Sequence, residues 1–124
     1  MKIFTLMEKP VLTIDEDSIA QKAVEKMVKE AVGSLLVKRG DEAVGIISSR
    51  DILSKVITDK RDPEKVKVKE IMVKPLITVD KNTDGEKVIE IMAKKGISRI
   101  FVTEEDNIVG VFSTSDITKM VKNN

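Results

Sequence analysis

The sequence predicts an α/β protein made of two β-α-β-β-α repeats, and three observations support this prediction. Shifting the chain by 65 residues aligns positions 6–56 with 71–121 without a gap, and many aligned pairs are identical or apolar in both copies. Each copy contains short apolar stretches bounded by turn residues, which are typical of strands. Each copy also contains stretches with apolar residues at helical spacing. Because one repeat alone is too small for a good core, we expect the two to pack about a pseudo-twofold axis.

Each repeat is predicted to begin with a strand and a helix. Val11–Ile14 is a short apolar strand after a proline. Ser18 and Gln21 then have the spacing of a capping box, which marks the start of a helix. Thr83 and Glu86 repeat that spacing in the second copy.

A β-hairpin is predicted to follow the helix in each repeat. Gly33 is placed to end the first helix. Ser34–Val37 and Ala43–Ser48 are the two hairpin strands, repeated as Arg99–Thr103 and Ile108–Ser113, and polar turns separate them. A second helix is predicted after each hairpin. Its apolar face holds Ile52, Leu53, Val56 and Ile57 in the first copy, and Ile117, Met120 and Val121 in the second.

The predicted organisation is a first repeat over residues 1–59, a linker over 60–69 and a second repeat over 70–124, together forming one globular module. The linker is rich in charge and contains Pro63, so we expect it to be exposed. Its basic residues are compatible with a contact patch. A solvated linker is favoured, because acidic residues are interleaved with them.

The composition excludes several classes of function. The chain has no Cys and no His, which removes disulfides, thiolate nucleophiles, imidazole bases, structural zinc and most transition-metal sites. It has no Trp or Tyr to stack on nucleic-acid bases, and its net charge is only +1. No apolar run is long enough to span a bilayer or to act as a secretory signal, so we expect a cytoplasmic protein. The Lys/Glu-rich, Cys-free balance is typical of thermophilic prokaryotes.

The most informative segment is Gly45–Ile52, which recurs as Gly110–Ile117. Each copy is an apolar strand that ends in hydroxyl residues and turns directly into a helix, where free backbone N–H groups suit an anion. An Asp three residues after the first Ser could accept two hydrogen bonds from a ribose diol. Arg50 or Arg99 could supply a cation to a phosphate. The glycine that opens each segment allows close approach of ligand or backbone, or marks a bulge.

The same residues also fit a purely structural role. Ser48 with Asp51, and Ser113 with Asp116, match the S-x-x-[DE] pattern of an ordinary capping box. The recurrence of the segment does not decide between the two interpretations, because both copies could need the same cap.

The ordered set of motifs resembles a tandem CBS-domain pair over residues 3–122. In each copy a lead-in, Leu6-Met7 or Ile71-Met72, precedes a helix that ends near Met27 or Met92. The copy then closes on the pattern Gly-apolar-apolar-Ser-x-x-Asp-Ile. No single motif is specific, but the whole set occurs twice at constant spacing.

The resemblance implies a regulatory, non-enzymatic module that binds an adenosine-containing ligand such as AMP, ADP, ATP or S-adenosylmethionine in clefts between the repeats. It also implies a disc-like homodimer that signals to a partner protein. The family's ribose-binding Asp falls on Asp51 and Asp116, and its basic residue early in the second strand falls on Arg99. The predicted ligand-binding residues are Thr13, Ile14, Ser48, Arg50, Asp51, Thr78, Val79, Arg99, Ser113, Thr114, Ser115 and Asp116.

The two repeats depart from the family pattern in different ways. Ser34 stands in the first repeat where the second has Arg99, and Ser115 stands in the second where the first has Arg50. The two clefts are therefore not expected to be chemically equivalent. The departures leave the phosphate preference of both clefts open, and one cleft could be empty or bind a different ligand.

Three other functions are compatible with the residues. One is an interaction or dimerisation module without a small ligand, in which the two Asp residues act only as caps. Another is an enzyme with Asp51 and Asp116 around a divalent metal, which the lack of His, Cys and Tyr disfavours. The weakest is nucleic-acid binding through the basic stretch at 65–69.

Overall fold

The computed structural model of the protein describes residues 1–121, and the chain divides into two compact units. The first unit is Leu12–Leu76. The second unit combines Met1–Val11 with the chain from Ile77 onward. Units and repeats therefore do not coincide, because the residues that precede the first strand of one repeat fold with the sheet of the other repeat.

The first unit contains a three-stranded sheet and its helices. Its elements are β1 (Thr13–Asp15), α1 (Ala20–Glu30), β2 (Ser34–Arg39), β3 (Glu42–Ser48), α2 (Ser49–Ile52), a π-helical turn (Leu53–Ile57) and α3 (Val68–Ile71). The strand order is β1-β2-β3, with β1 parallel and β3 antiparallel to β2. The predicted strand, helix and hairpin are confirmed.

The second unit repeats this architecture. Its elements are a 3₁₀ helix (Ile3–Thr5), β4 (Thr78–Asp80), α4 (Gly85–Lys95), β5 (Arg99–Glu104), β6 (Asn107–Ser113) and a 3₁₀ helix (Thr114–Met120). The sheet order is β4-β5-β6 with the same strand directions. The register shift that follows Val37 in β2 also follows Val102 in β5, so even this irregularity is repeated.

Each unit has its own apolar core between the sheet and the long helix. In the first unit the inward face of α1 presents Ala20, Ala23 and Met27. In the second unit Val88 and Met92 of α4 do the same. Their helical spacing predicts Ala23 and Met27 in the first copy, and Val88 and Met92 in the second, as core positions, and all four are buried. Val28 is predicted on the same face but is 75% exposed.

The predicted capping boxes of the long helices are wrong. No side chain caps α1 or α4. Instead, the Ala20 N–H donates to the carbonyl oxygen of Val66 at 2.7 Å, and the Gln21 N–H donates to that of Pro63 at 2.9 Å. In the second unit the Gly85 N–H donates to the carbonyl oxygen of Met1 at 2.7 Å. Backbone carbonyl oxygens from distant segments accept hydrogen bonds from the N–H groups at the helix starts, so the Ser and Thr hydroxyls are not needed as caps there.

The expected exposed linker is partly built into the first unit. Val66 and Val68 are fully buried in its core, so the prediction is wrong at those two positions. The basic residues of the segment mostly face acids. Arg61 lies 2.8 Å from Glu70, and Lys69 lies 2.9 Å from Asp17. Lys60 and Lys65 have no ion-pair partner among residues 1–121, so the acids neutralise only part of the positive charge of the segment.

The ends of the long helices also differ from expectation. The left-handed residue that ends α1 is Ala31, with φ of 54°, rather than Gly33. The aligned residue at the end of α4 is Gly96, with φ of 64°. A glycine is the natural residue at this position, so the first repeat carries a local strain that the second avoids.

The second helix of each repeat is short and irregular. In the first unit it passes into a π-helical turn, and Leu53 and Ile57 lie at the two ends of that turn. They are 60% and 55% exposed, while Val56 between them is buried. Val121 lies past the 3₁₀ helix of the second unit and is also exposed, so the predicted apolar face is wrong at these three residues. None of the helices within residues 1–121 is long and apolar enough to cross a membrane.

Candidate functional site

The turn after β3 is closed by a reciprocal capping box. The Ser48 N–H and hydroxyl donate to Asp51 Oδ2 at 2.9 and 3.0 Å. The Asp51 N–H donates back to Ser48 Oγ at 3.2 Å. The predicted capping box is therefore confirmed, and any ligand would have to share a carboxylate that already caps its own turn.

The equivalent turn after β6 has nearly the same arrangement. The Ser113 N–H donates to Asp116 Oδ2 at 2.9 Å, and the Ser113 hydroxyl donates to the same oxygen at 3.2 Å. The hydroxyls of Ser113 and Ser115 lie 2.7 Å apart. Thr114 is the first residue of the 3₁₀ helix, so all four predicted residues lie on one turn.

A lysine holds the second oxygen of each buried carboxylate. Lys55 Nζ lies 3.2 Å from Asp51 Oδ1, and Lys119 Nζ lies 3.1 Å from Asp116 Oδ1. Burial raises the pKa of Asp116, but hydrogen bonds with the Ser113 N–H, the Glu8 side chain and Lys119 outweigh burial and hold that pKa below its ordinary value. The group is therefore an ionised hydrogen-bond acceptor and a poor proton donor.

The amides expected to be free at the helix starts are partly engaged. The Ser49 N–H donates to the carbonyl oxygen of Gly33 at 3.0 Å, and the Thr114 N–H donates to that of Ser98 at 2.9 Å. The prediction of an open anion site at the helix start is wrong for this first amide in both copies, because the loop before the hairpin supplies its acceptor.

The sheet register determines which predicted residues come together. Arg99 at the start of β5 pairs directly with Ser113 at the end of β6, next to the cap that holds Asp116. In the first unit the same register pairs Ser34 with Ser48. The end of the second sheet therefore combines a guanidinium, hydroxyls and a carboxylate, whereas the end of the first sheet lacks the guanidinium.

The two arginines of the predicted site differ in exposure. Arg50 is exposed, whereas Arg99 is half-buried. No carboxylate of residues 1–121 lies within ion-pairing distance of either side chain. Both therefore remain available to an anionic group.

The predicted adenine-lining strands offer mainly backbone. Ile14 and Val79 point into the two cores, so their side chains are not available to a ligand. Thr13 and Thr78 begin their strands and are more exposed. Sequence analysis missed Lys26, whose ammonium group donates to the carbonyl oxygen of Thr13. The second repeat has Ile91 at the aligned position, and this difference between Lys and Ile in the sequence could have indicated that the two copies differ here.

The glycines of the repeated segment face the lead-in methionines rather than an open site. An added Cβ at Gly110 would lie 2.3 Å from Sδ and 2.7 Å from Cγ of Met7. At Gly45 it would lie 2.8 Å from the Val73 carbonyl oxygen and 3.0 Å from Met72 Sδ. The close approach is therefore made by the lead-in segment, which settles the alternatives left open for these glycines.

Within residues 1–121, no three acidic side chains lie close enough together to bind a metal ion. Asp51 and Asp116 lie in different units, and each has a lysine as its ionic partner. The arrangement offers hydrogen bonding and charge complementarity to a ligand.

Comparison with known proteins gives the family. The model of the CBS domain matches residues 3–58 and again residues 68–123. The chain belongs to the CBS-domain family. CBS pairs are regulatory ligand-binding modules, and the two matches account for both repeats.

Relatives of this tandem CBS chain include archaeal and cyanobacterial proteins. An uncharacterised protein of Methanocaldococcus jannaschii is 31% identical over 95% of this chain and 64% of its own length. A solved structure of a conserved Pyrococcus horikoshii protein is 31% identical, with a TM-score of 0.89 over 99% of this chain and 93% of that one. A hexameric CBS-CP12 protein from bloom-forming cyanobacteria is 30% identical, with a TM-score of 0.89 over 95% and 69% of the two chains. The chain spans 57% and 64% of the length of the first two archaeal relatives.

Proposed function

We propose that the chain is a regulatory module that binds adenosine-containing ligands at the sheet ends carrying Asp51 and Asp116 and signals to a partner protein. The observation that supports this most is the pairing of Arg99 with Ser113, the residue whose N–H and hydroxyl donate to the buried Asp116 carboxylate. A guanidinium without an ion-pair partner among residues 1–121 is thus carried next in register to that cap. A carboxylate with further lone pairs accepts hydrogen bonds from a ribose diol, and a guanidinium binds phosphate.

The two sheet ends are proposed to differ in their preference. The Asp116 end has Arg99 opposite Ser113, so it favours a ligand with a phosphate, such as AMP, ADP or ATP. The Asp51 end has Ser34 opposite Ser48 and only the exposed Arg50 nearby in sequence. We expect it to bind the nucleoside part with a weaker dependence on phosphate.

Calorimetric titration of AMP, ADP, ATP and S-adenosylmethionine into the wild type, Asp51→Ala and Asp116→Ala tests the proposal. We expect at least one nucleotide to bind the wild type and one of the two variants to lose it while staying folded by circular dichroism. Protein concentration needs amino-acid analysis, because the chain has no Trp or Tyr. Absence of binding of all four ligands to the wild type at millimolar concentration would refute the proposal.

A specific observation also favours the alternative of an interaction module without a ligand. Asp51 and Asp116 each complete a cap and an ion pair within their own turn, so neither needs a ligand to justify its burial. Under this alternative the Asp116→Ala variant loses about 1 kcal/mol of stability and changes no binding event.

The partner surface proposed for a second copy of the chain is the exposed apolar patch of the first unit. Val28, Leu53 and Ile57 are each more than half exposed. Val28 lies on α1, which packs against α2, and Leu53 and Ile57 lie on the turn that directly follows α2. The second repeat has Thr118 and Lys122 at the positions of Leu53 and Ile57, so the repeat fold does not require apolar side chains there. Val28 aligns with the smaller Ala93. The hexameric state of the cyanobacterial relative supports self-association of this chain through an exposed apolar surface.

Light scattering during gel filtration tests the proposed homodimer. Leu53→Ser with Ile57→Ser should convert the dimer to a monomer, while Thr118→Ser, at the aligned position of the second repeat, should leave it unchanged. A wild type that is monomeric at every concentration of a dilution series would exclude this patch as the interface. A double variant that remains dimeric would exclude it as well.

A further inference from the structure

The second unit contains a cleft of about 580 Å³ that is separate from the Asp116 turn. Its walls come from Phe4, from Lys9 in the lead-in, and from Lys81, Glu104 and Val109. The cleft therefore lies at the β5–β6 turn, at the opposite end of these two strands from Arg99 and Ser113. Its volume falls within the range of about 300–1000 Å³ that is typical of small-molecule sites.

The walls of the cleft combine apolar surface with one unneutralised cation. Phe4 is 45% exposed, and Ile108 and Val109 are half-buried, so apolar side chains face the open space. The Lys81 ammonium is paired with the Glu104 carboxylate, and the two charges cancel. Lys9 is exposed and has no ion-pair partner among residues 1–121. The cleft thus presents a net positive charge beside an apolar floor.

The aligned positions of the first unit do not have this character. Phe4 aligns with Lys69, which pairs with Asp17 at 2.9 Å. The Lys81–Glu104 pair aligns with Glu16 and Arg39, whose charges are reversed and which lie 2.7 Å apart. In the first unit, ion pairs therefore occupy the positions that form the cleft in the second unit. The exposed aromatic side chain in the second unit is not a requirement of the fold.

We propose that this cleft binds a small organic anion with an aromatic or apolar body, placing the body against Phe4 and Val109 and the anionic group at Lys9. The apolar body buries apolar surface that is otherwise exposed to solvent, and the anionic group forms an ion pair with the free ammonium group of Lys9. This site is independent of the proposed adenosine-binding function, because it shares no residue with the Asp116 turn.

Fluorescence titration with 1-anilinonaphthalene-8-sulfonate tests the proposal, since the chain has no Trp or Tyr emission to interfere. The neutral probe N-phenyl-1-naphthylamine has the same aromatic skeleton without the sulfonate. We expect Lys9→Gln to weaken the sulfonate about fivefold and to leave the neutral probe unchanged, as removal of one exposed charge contact requires. Phe4→Ser should weaken both probes.

Lys74→Gln is the matched control, because Lys74 aligns with Lys9 and is also an exposed lysine before a proline. It should change neither probe. Binding of the sulfonate that is unaffected by both Lys9→Gln and Phe4→Ser would overturn the proposal, and so would binding that Leu53→Ser abolishes. A wild type that does not enhance the emission of the sulfonate at millimolar concentration would overturn it as well.

Discussion

Lys119 bridges Asp116 and the lead-in segment of the second unit. Its Nζ lies 3.1 Å from Asp116 Oδ1 and donates to the carbonyl oxygen of Leu6 at 3.3 Å. In the first unit Lys55 makes the same two contacts, with Asp51 at 3.2 Å and with the carbonyl oxygen of Ile71 at 2.9 Å.

The two lysines do not align in the repeat. Lys55 is four residues after its Asp and Lys119 is three residues after its own. The helix geometry differs accordingly, since a π-helical turn follows α2 whereas a 3₁₀ helix carries Lys119. The contact is thus retained in both units although the position of the lysine is not, which indicates that joining the Asp to the lead-in is structurally useful.

Removing the bridge should destabilise the second unit. We expect Lys119→Met to lower the free energy of unfolding by about 1 kcal/mol, a modest value because the lysine is partly exposed. Urea unfolding followed by far-ultraviolet circular dichroism measures it. Lys94→Met, at an exposed helix position without an ion pair in the described residues, is the control and should have little effect. Equal stability of the two variants would show that the bridge contributes nothing.

The acid stability of the protein should depend on Asp116. Its folded pKa lies below the ordinary value of 3.8, so its contribution is present above that value and is lost as the pH falls through the folded pKa. We expect the wild type to lose more stability than Asp116→Asn between pH 7 and pH 3, because the variant has no carboxylate to protonate. An equally steep loss in both proteins would contradict the pKa assignment.

The two aligned helix ends provide a reciprocal test of backbone strain. Ala31→Gly should stabilise the protein by about 1 kcal/mol, because glycine adopts the left-handed conformation without the Cβ penalty. Gly96→Ala should destabilise it by a similar amount, since the space around Gly96 is open and only backbone strain opposes the methyl group. Thermal and urea unfolding measure both changes. Shifts of the same sign would contradict the account.

The contact between Gly110 and Met7 should not tolerate a methyl group. Gly110→Ala is expected to cost about 1–3 kcal/mol, the usual penalty for overpacking. Adding Met7→Ala should recover part of that loss, because it removes the Sδ and Cγ atoms that the new Cβ would meet. A double-mutant cycle measures the coupling, and strictly additive effects would show that the two residues do not compete for space.

Much of the fold was predictable because its signals are local. The hairpins follow from alternating apolar runs around polar turns, and Ser48 with Asp51 follows from a capping-box spacing. The starts of α1 and α4 were not predictable, because carbonyl oxygens of Val66 and Met1 cap them, and any residue type supplies a carbonyl.

In the candidate site, the capping residues were predictable from the sequence, whereas the contacts that the lysines make with them were not. The recurrent Ser and Asp positions predicted both caps, and the difference between Arg99 and Ser34 predicted that the sheet ends are unequal. The lysine bridges were missed, because Lys55 and Lys119 do not align and therefore escape a search for repeated residues. The burial of Val66 and Val68 was missed because charged neighbours conceal two isolated apolar residues.

The most direct test of the central claim compares AMP with adenosine on the wild type and on Arg99→Ser, which copies the first repeat. Calorimetry should show that AMP binds the wild type more tightly than adenosine does. Arg99→Ser should reduce the affinity for AMP about tenfold and leave that for adenosine unchanged, as loss of a guanidinium–phosphate contact requires. If AMP binds Arg99→Ser as tightly as it binds the wild type, Arg99 does not bind the phosphate and the account of the Asp116 end is wrong.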